Sequence, residues 1–459
     1  MQQQLSLFNT AQPQIKLKEL FEAYYSCRQN KRNTANAIAF EIDYESNLIQ
    51  LCNEINNNTY QIGRSIAFIV NKPVKREIFA ADFRDRIVHH LIINKLNPFF
   101  EKEFIHDSFG CRINKGTHFG IKRIDTFIRK CSQNYTQDCY VLKLDIQGFF
   151  MHINKDILWQ KLECFINQKY HKDDKSLILK LTKQVIFNNP TQNCIIKGKR
   201  SNWNDLPNNK SLFHNPPNCG LPIGNLTSQV FANFYMNTLD HYIKHNLGLK
   251  YYGRYVDDFV IVHPNKEFLK KLIQHLSTFL LSTLKLTLHP KKIHLQHYKK
   301  GVKFIGAVIL PNRIYIGNRT KGNFYNAISK QNKIVQNRKP TQAEQEALLS
   351  SLNSYLGIMK HYKSFSIRKE MIFKDKTGLS VWWFNYVYLS GGIAKLVLKN
   401  KPQKKTKRWV ITKYSACRAS PPLEDRPTSN PSVEPAEYHT AIEHRRDIDG
   451  FGVPYGESD

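Results

Sequence analysis

Lys250-Tyr-Tyr-Gly-Arg-Tyr-Val-Asp-Asp-Phe-Val-Ile-Val-His263 sets two short aromatic and β-branched runs around a pair of adjacent carboxylates, Asp257 and Asp258. Apolar runs of this length and composition are strand-forming, so the stretch predicts a β-hairpin with both acids at its tip. Neighbouring carboxylates repel one another and resist desolvation unless positive charge lies beside them. Oxygen donors of this kind suit Mg²⁺, an ion that also takes substrate phosphates into its shell. An isolated Asp-Asp pair is ordinarily a solvated turn. Here both flanks are strongly apolar, so a buried, rigid element presents the acids, and that context favours a metal site.

Working outward, a second acid-bearing strand lies upstream in Cys139-Tyr-Val-Leu-Lys-Leu-Asp-Ile-Gln-Gly-Phe-Phe150. Its apolar run ends at Asp145. A strand-end aspartate alone is usually a cap or turn residue; it becomes a ligand when another carboxylate pair faces it. Between the two lies Asn218 to Asp240, a Gly/Pro turn leading into a helix whose start is expected at Thr227 and Ser228. Val230, Phe231, Phe234 and Leu239 supply its apolar face. Residues 188–217 form a long polar stretch rich in Asn, Pro and Lys, expected to be an insertion or functional surface.

Further upstream, Phe109-Gly-Cys-Arg-Ile-Asn-Lys-Gly-Thr117 predicts a loop whose Gly110, Arg112, Lys115 and Gly116 suit a phosphate partner. Two strands, Ser65–Val70 and Glu77–Ala80, flank Lys72, Lys75 and Arg76. If the site downstream handles a triphosphate, this basic turn is suited to close over it. Arg84 to Leu96 reads as an amphipathic helix stopped near Pro98. Downstream, a helix is expected over Glu267–Leu284 and a strand pair around Gly301–Leu310. His289, His294 and His297 lack a completing Cys or acid and read as surface histidines.

Lys+Arg 68 against Asp+Glu 37 gives a net charge of +31, which points to a polyanionic partner such as nucleic acid. Nine scattered cysteines without a Cys-x-x-Cys pair argue for reduced thiols in a cytoplasmic protein. The first residues carry no signal-peptide pattern, and the longest apolar run, Phe304–Leu310, is too short to span a bilayer. Residues 1–60 predict a helical extension. Residues 318–400 read as helical and basic. From Lys401 the composition becomes basic, then Pro/Ser/Glu-rich, and a disordered tail over 401–459 is expected.

The order of these motifs resembles the palm of reverse transcriptases, over roughly residues 60–310. The residues that carry it are Tyr255-Val-Asp-Asp258, Leu144-Asp-Ile-x-Gly-Phe-Phe150 and Gly220-Leu-Pro-Ile-Gly224, in this sequence order. The resemblance implies an α+β right-hand polymerase, with an antiparallel palm sheet packed by helices and a helical thumb. Its expected divisions are an extension (1–60), fingers (61–140), palm (141–310, with some finger elements and the 188–217 insertion), thumb (311–400) and tail (401–459). Two Mg²⁺ ions would be bridged by Asp145 and Asp257, with the Ile146 carbonyl assisting and Asp258 beside them. Phe150 matches the bulky position beneath the sugar that selects deoxynucleotides. Lys72 and Arg76 match residues that grip the triphosphate of the dNTP. Lys292 resembles the late palm lysine near the phosphates, a candidate general acid, with Lys291 competing for the role.

Most reverse transcriptases carry Gln-Gly-x-x-x-Ser-Pro in the turn before the helix. This chain has Ile223-Gly224-Asn-Leu-Thr-Ser-Gln229, and in this it resembles the reverse transcriptases of diversity-generating retroelements, as does Ser354-Tyr-Leu-Gly-Ile-Met-Lys-His361. That group copies a template RNA with frequent errors at adenines, and the cDNA replaces part of a target gene. A Gln here would hydrogen-bond in the nucleotide and template pocket, where Ile only packs. Loss of such a contact loosens selection by about 1–3 kcal/mol. The resemblance also implies a bacterial or phage origin, template RNA, primer and RNA/DNA heteroduplex as partners, and a small, basic, oligomeric accessory protein. The rival readings are a retron, phage-defence or group II intron enzyme, and a non-catalytic RNA-binding scaffold. The intact Asp145, Asp257 and Asp258 weigh against the scaffold.

Overall fold

A strand whose side chains alternate between two faces can serve two cores at once, and the centre of this protein is built that way. The computed structural model describes residues 14–29, 34–71, 74–374 and 376–399. Lys72 and the tail expected over 401–459 lie outside these residues. The first of two compact units runs to Lys321. Its strands are β1 (Ile66–Val70), β2 (Arg76–Ala80), β3 (Tyr140–Leu144), β4 (Ile195–Ile196), β5 (Tyr252–Tyr255), β6 (Asp258–His263), β7 (His294–His297), β8 (Val302–Phe304), β9 (Ala307–Leu310) and β10 (Arg313–Ile316).

Strands β5, β6, β3 and β7 form an antiparallel sheet in that order. The expected hairpin is β5–β6. Tyr255 pairs with Asp258, which leaves Val256 and Asp257 as its two-residue turn. Leu142, Leu144, Phe259 and Ile261 enter one core, where the helices Phe83–Glu103 and Leu226–His241 pack. Val141, Val260 and Val262 enter the other, with helix Thr117–Cys131 and the sheet β8–β9–β10. Each fully buried side chain of this size contributes about 1.5–3 kcal/mol. A one-residue slip of β3 would exchange its faces and turn Lys143 and Asp145 toward the first core, so the register is firmly set.

Three expectations for this unit are corrected. The helix read as stopping near Pro98 continues to Glu103 with the proline inside it. Phe100 explains why: it is fully buried, with ring centroids 5.3 Å from Phe165 and 5.1 Å from Phe234. That packing offsets the roughly 3 kcal/mol cost of an interior proline. The helix expected to begin at Thr227 and Ser228 starts at Leu226 with Asn225 as its N-cap, and both hydroxyl residues are buried within its first turn. The 188–217 stretch, whose polar composition predicts no regular element, contributes β4, which pairs in parallel with β1 beside the β1–β2 hairpin. Glu77 on β2 pins the stretch: its buried carboxylate accepts hydrogen bonds from Trp203 Nε1, Ser211 Oγ and the Leu212 N–H, each at 2.7 Å.

The second unit is built around residues 322–360 and 364–399. Helices Gln342–Met359 and Phe365–Phe373 belong to it, and Asn318–Asn337 leads into it. Thr341 and Glu344 close a capping box at the start of the middle helix. The stretch read as helical to 400 ends instead in a hairpin, β11 (Val387–Ser390) with β12 (Lys395–Leu398). Trp383, fully buried, donates from Nε1 to the Gln331 carbonyl at 3.2 Å, and Asn353 bonds both backbone groups of Leu396. No helix among the described residues is long and apolar enough to cross a membrane.

Candidate active site

Strand alternation decides which side chains meet at the end of the central sheet. Lys143 and Asp145 lie two residues apart, and Asp258 shares its strand face with Val260 and Val262, so all three emerge on the second-core side. Asp257 sits in the adjoining turn. Lys143 Nζ is 3.1 Å from Asp258 Oδ2, and Lys292 Nζ is 3.4 Å from Asp145 Oδ1. Lys292 comes from the short Pro290–Lys292 turn, while Lys291 is exposed. Ile146 lies opposite Leu288, flanked by bonds from the His289 N–H to the Asp145 carbonyl and from the Gln147 N–H to the Thr287 carbonyl. Its own backbone groups therefore occupy a position this ladder does not use.

The electrostatics follow from that convergence. Burial, then the charges of Asp145 and Asp258, push the Asp257 carboxyl up to about 7. Asp258 is pushed up to about 6 by burial, against the pull of Lys143. Asp145 is also raised by burial, with Lys292 and Lys143 opposing. Asp145 thus raises the proton affinity of both Asp257 and Asp258, and Asp258 that of Asp257, so this end of the sheet favours added positive charge. Asp258 Oδ1 is buried without a hydrogen-bond partner. These features fit a divalent cation. Among the described residues no group of three His, Cys, Asp or Glu is placed to hold an ion. His289, His294 and His297 likewise form no such group; His297 instead approaches Asp138 at 3.0 Å.

The turn itself is strained. Val256 has φ +56°, a left-handed conformation unfavourable for a β-branched residue and worth about 1–3 kcal/mol. A Cβ built on Gly110 would lie 2.8 Å from Val256 Cγ2 and 3.1 Å from the Val256 nitrogen, so the turn rests directly on Gly110. Gly110→Ala is expected to push the turn aside and lower the turnover number at least tenfold with little change in KM. Steady-state kinetics on the purified variant checks this, and an unchanged rate would show that the turn tolerates displacement.

That role for Gly110 corrects the reading of its loop as a phosphate cradle. Arg112 is buried, bonded to Glu101 and to the carbonyls of Ile105 and Ser108. Lys115 Nζ donates to the His106 carbonyl at 2.9 Å. Both cations serve the loop itself.

Of the remaining candidates, Phe150, Ile223 and Gly224 are joined through backbone contacts. Phe150 follows Gly148, whose φ of +53° turns the chain after β3, and it packs edge-on against Phe149 with centroids 5.4 Å apart. The Leu221 N–H donates to the Phe150 carbonyl at 2.8 Å, and the Phe79 N–H to the Ile223 carbonyl at 2.9 Å. Gly224, at φ +129°, lets that loop lie against β2: a Cβ there would stand 2.9 Å from Ile78 Cγ2. The Ile223 side chain is partly buried beside Ala67, Phe79, Met151 and Leu212. Gln229, in the first turn of helix Leu226–His241, accepts at Oε1 from the Cys111 thiol at 3.2 Å. Arg76 is exposed at the start of β2. Lys143 was missed in the sequence, although its spacing from Asp145 places both on one strand face. The Asp240–Arg254 ion pair was also missed.

The chain is similar to several known proteins. Residues 71–309, just over half of the chain, match the family described as reverse transcriptase (RNA-dependent DNA polymerase). Nuclear intron maturase 1, mitochondrial, of Arabidopsis thaliana is 32% identical over 95 residues, 21% of this chain and 12% of that protein. Protein YkfC of Escherichia coli (strain K12) is 22% identical over 266 residues, 51% of this chain and 63% of that protein. The chain thus spans less than two thirds of either relative. Among solved structures, apo telomerase from Candida tropicalis truncated from its C-terminal domain is 15% identical, with a TM-score of 0.40 and 55% of each chain covered. Telomerase from Candida albicans with a TWJ fragment of telomeric RNA is 13% identical, with a TM-score of 0.40, covering 71% of this chain and 61% of that one. On the match over residues 71–309, which contains all three carboxylates, this chain belongs to the reverse transcriptase (RNA-dependent DNA polymerase) family.

Proposed function

We propose that this chain is an RNA-directed DNA polymerase of a bacterial or phage diversity-generating retroelement, copying a template RNA into cDNA with errors directed to adenines. The observation that carries the catalytic part is the cluster of Asp145, Asp257 and Asp258 flanked by Lys143 and Lys292. Asp145 and Asp257, with the Ile146 carbonyl, would hold two Mg²⁺ ions, and Asp258 adjoins them. When bound, the ions supply activation of the primer 3′-hydroxyl and charge neutralisation at the leaving pyrophosphate. Lys292 would pass a proton to that pyrophosphate. Lys143 holds Asp258 toward its ionised form. Phe150 would exclude a ribose 2′-hydroxyl, and Lys72 and Arg76 would grip the triphosphate of the incoming dNTP. The net charge of +31 suits template RNA, primer and the RNA/DNA heteroduplex, with the small basic accessory protein as a further partner.

The retroelement assignment is supported by Ile223, in the loop that abuts β2, and by Gln229, in the first turn of the helix that follows. An apolar side chain at 223 offers no hydrogen bond to the nucleotide pocket, which weakens discrimination by about 1–3 kcal/mol. The test is cDNA synthesis on the RNA encoded beside this gene, with the accessory protein, followed by sequencing. Wild type is expected to misincorporate opposite template adenines, and Ile223→Gln to lower that error rate several-fold while still extending primers. Faithful wild-type cDNA would move the assignment to a retron, defence or intron-type enzyme. No metal-dependent product would revive the scaffold reading.

A further inference from the structure

We propose that Arg254 is a positioning residue that locks the Val256–Asp257 turn in its ion-holding shape from the opposite face of the sheet. The inference rests on the reading of that turn under the proposed function. Arg254 pairs with Phe259, so its side chain leaves the sheet toward the first core, away from Asp145 and Asp258. There it is fully buried. Nε donates to Asp240 Oδ1 at 2.7 Å and Nη2 to Asp240 Oδ2 at 2.5 Å. Nη1 donates to Asn233 Oδ1 at 3.1 Å and to the Val256 carbonyl at 2.8 Å.

The bond to Val256 links this network to the chemistry. That carbonyl belongs to the peptide joining Val256 to Asp257, and a valine at φ +56° would relax if the peptide were free to rotate. The helix Leu226–His241 braces the lock twice. Asp240, itself fixed by the Tyr252 hydroxyl at 2.6 Å, orients the guanidinium. Asn233 lies seven residues earlier on the same helix face, and its Nδ2 donates to the Gly110 carbonyl at 2.6 Å. Gly110 is the residue on which the Val256 side chain rests. One helix thus holds the turn's peptide from below and its side chain from the flank.

A buried ion pair is a poor device for stability alone, since packed apolar residues usually serve as well. The planar fork of arginine explains its presence: it can hold Asp240 with one edge and still reach the Val256 carbonyl. Lysine keeps the charge and the ion pair but has one head group, so it separates the two roles.

The test is Arg254→Lys in the full chain, assayed below its melting temperature. We expect kcat to fall at least tenfold, dNTP KM to stay within about twofold, and Mn²⁺ binding followed by electron paramagnetic resonance to weaken at least threefold. Adding Val256→Gly to that variant supplies a residue that accepts positive φ freely. It should recover at least threefold in kcat and most of the Mn²⁺ affinity, a rescue that a purely structural ion pair would not show. Should Arg254→Lys fail to fold, the neutral pair Arg254→Gln with Asp240→Asn leaves no unpaired charge, and the same losses are expected. Unchanged kcat and Mn²⁺ affinity in the folded variants, or no recovery with glycine, would overturn the proposal. A wild-type chain that makes no cDNA would sink the proposed function, and the Mn²⁺ measurements would still decide the role of Arg254.

Discussion

Asp257→Asn is expected to lower templated dNTP incorporation by on the order of 10³-fold or more, because under the proposed function it removes an ion-holding oxygen at the reacting centre. The same change should stabilise the metal-free protein. Burial and the neighbouring charges of Asp145 and Asp258 push the Asp257 carboxyl up to about 7, so the folded chain binds this proton more tightly than the unfolded one. Stability from this group is fully present below about pH 3.8 and is lost as pH rises through about 7. Asparagine stays neutral throughout. Urea unfolding in EDTA should therefore show variant and wild type nearly matched at pH 3.5 and the variant more stable at pH 8. Adding Mg²⁺ should stabilise wild type far more than the variant. Activity within tenfold of wild type, or no stability gain at pH 8, would show that Asp257 lies outside the ion-holding set.

The second large effect is on the fold. Asp240→Ala leaves Arg254 buried with no carboxylate beside it, and both side chains have zero exposure. Breaking such a pair from one side costs about 3–5 kcal/mol, because the surviving charge keeps its desolvation penalty. A matching drop in the denaturation free energy of the first unit is expected, with Asp240→Asn milder because its amide oxygen still accepts from Arg254 and Tyr252. A loss below about 1 kcal/mol for the alanine variant would mean that Arg254 finds another partner or water.

Much of this protein is legible without coordinates, because the informative features are local. The apolar runs Val141–Leu144 and Phe259–Val262 are enough to predict strands, and adjacent acids between apolar runs are enough to predict a charged hairpin tip. The same locality explains the misreadings. Pro98 is a helix breaker by propensity, and burial of Phe100 against the distant rings of Phe165 and Phe234 favours continuing that helix past it. The polar 188–217 stretch lacks the periodicity of an element, yet the Glu77 carboxylate and the free edge of β1 give its backbone partners.

Sequence by itself determined the identity and order of the acids, the hairpin that carries two of them, and the charge that suits a polyanion. These depend on residue type and on spacings of one or two positions, which a chain carries before it folds. Tertiary structure alone decided which cations serve the acids and which serve the scaffold. Lys143 and Lys292 reach the carboxylates, Arg112 turns inward to Glu101, and Arg254 lies behind the sheet holding the turn. The reason is physical: a side chain's charge is written in the sequence, but its partner is set by strand register and helix packing between residues far apart in the chain.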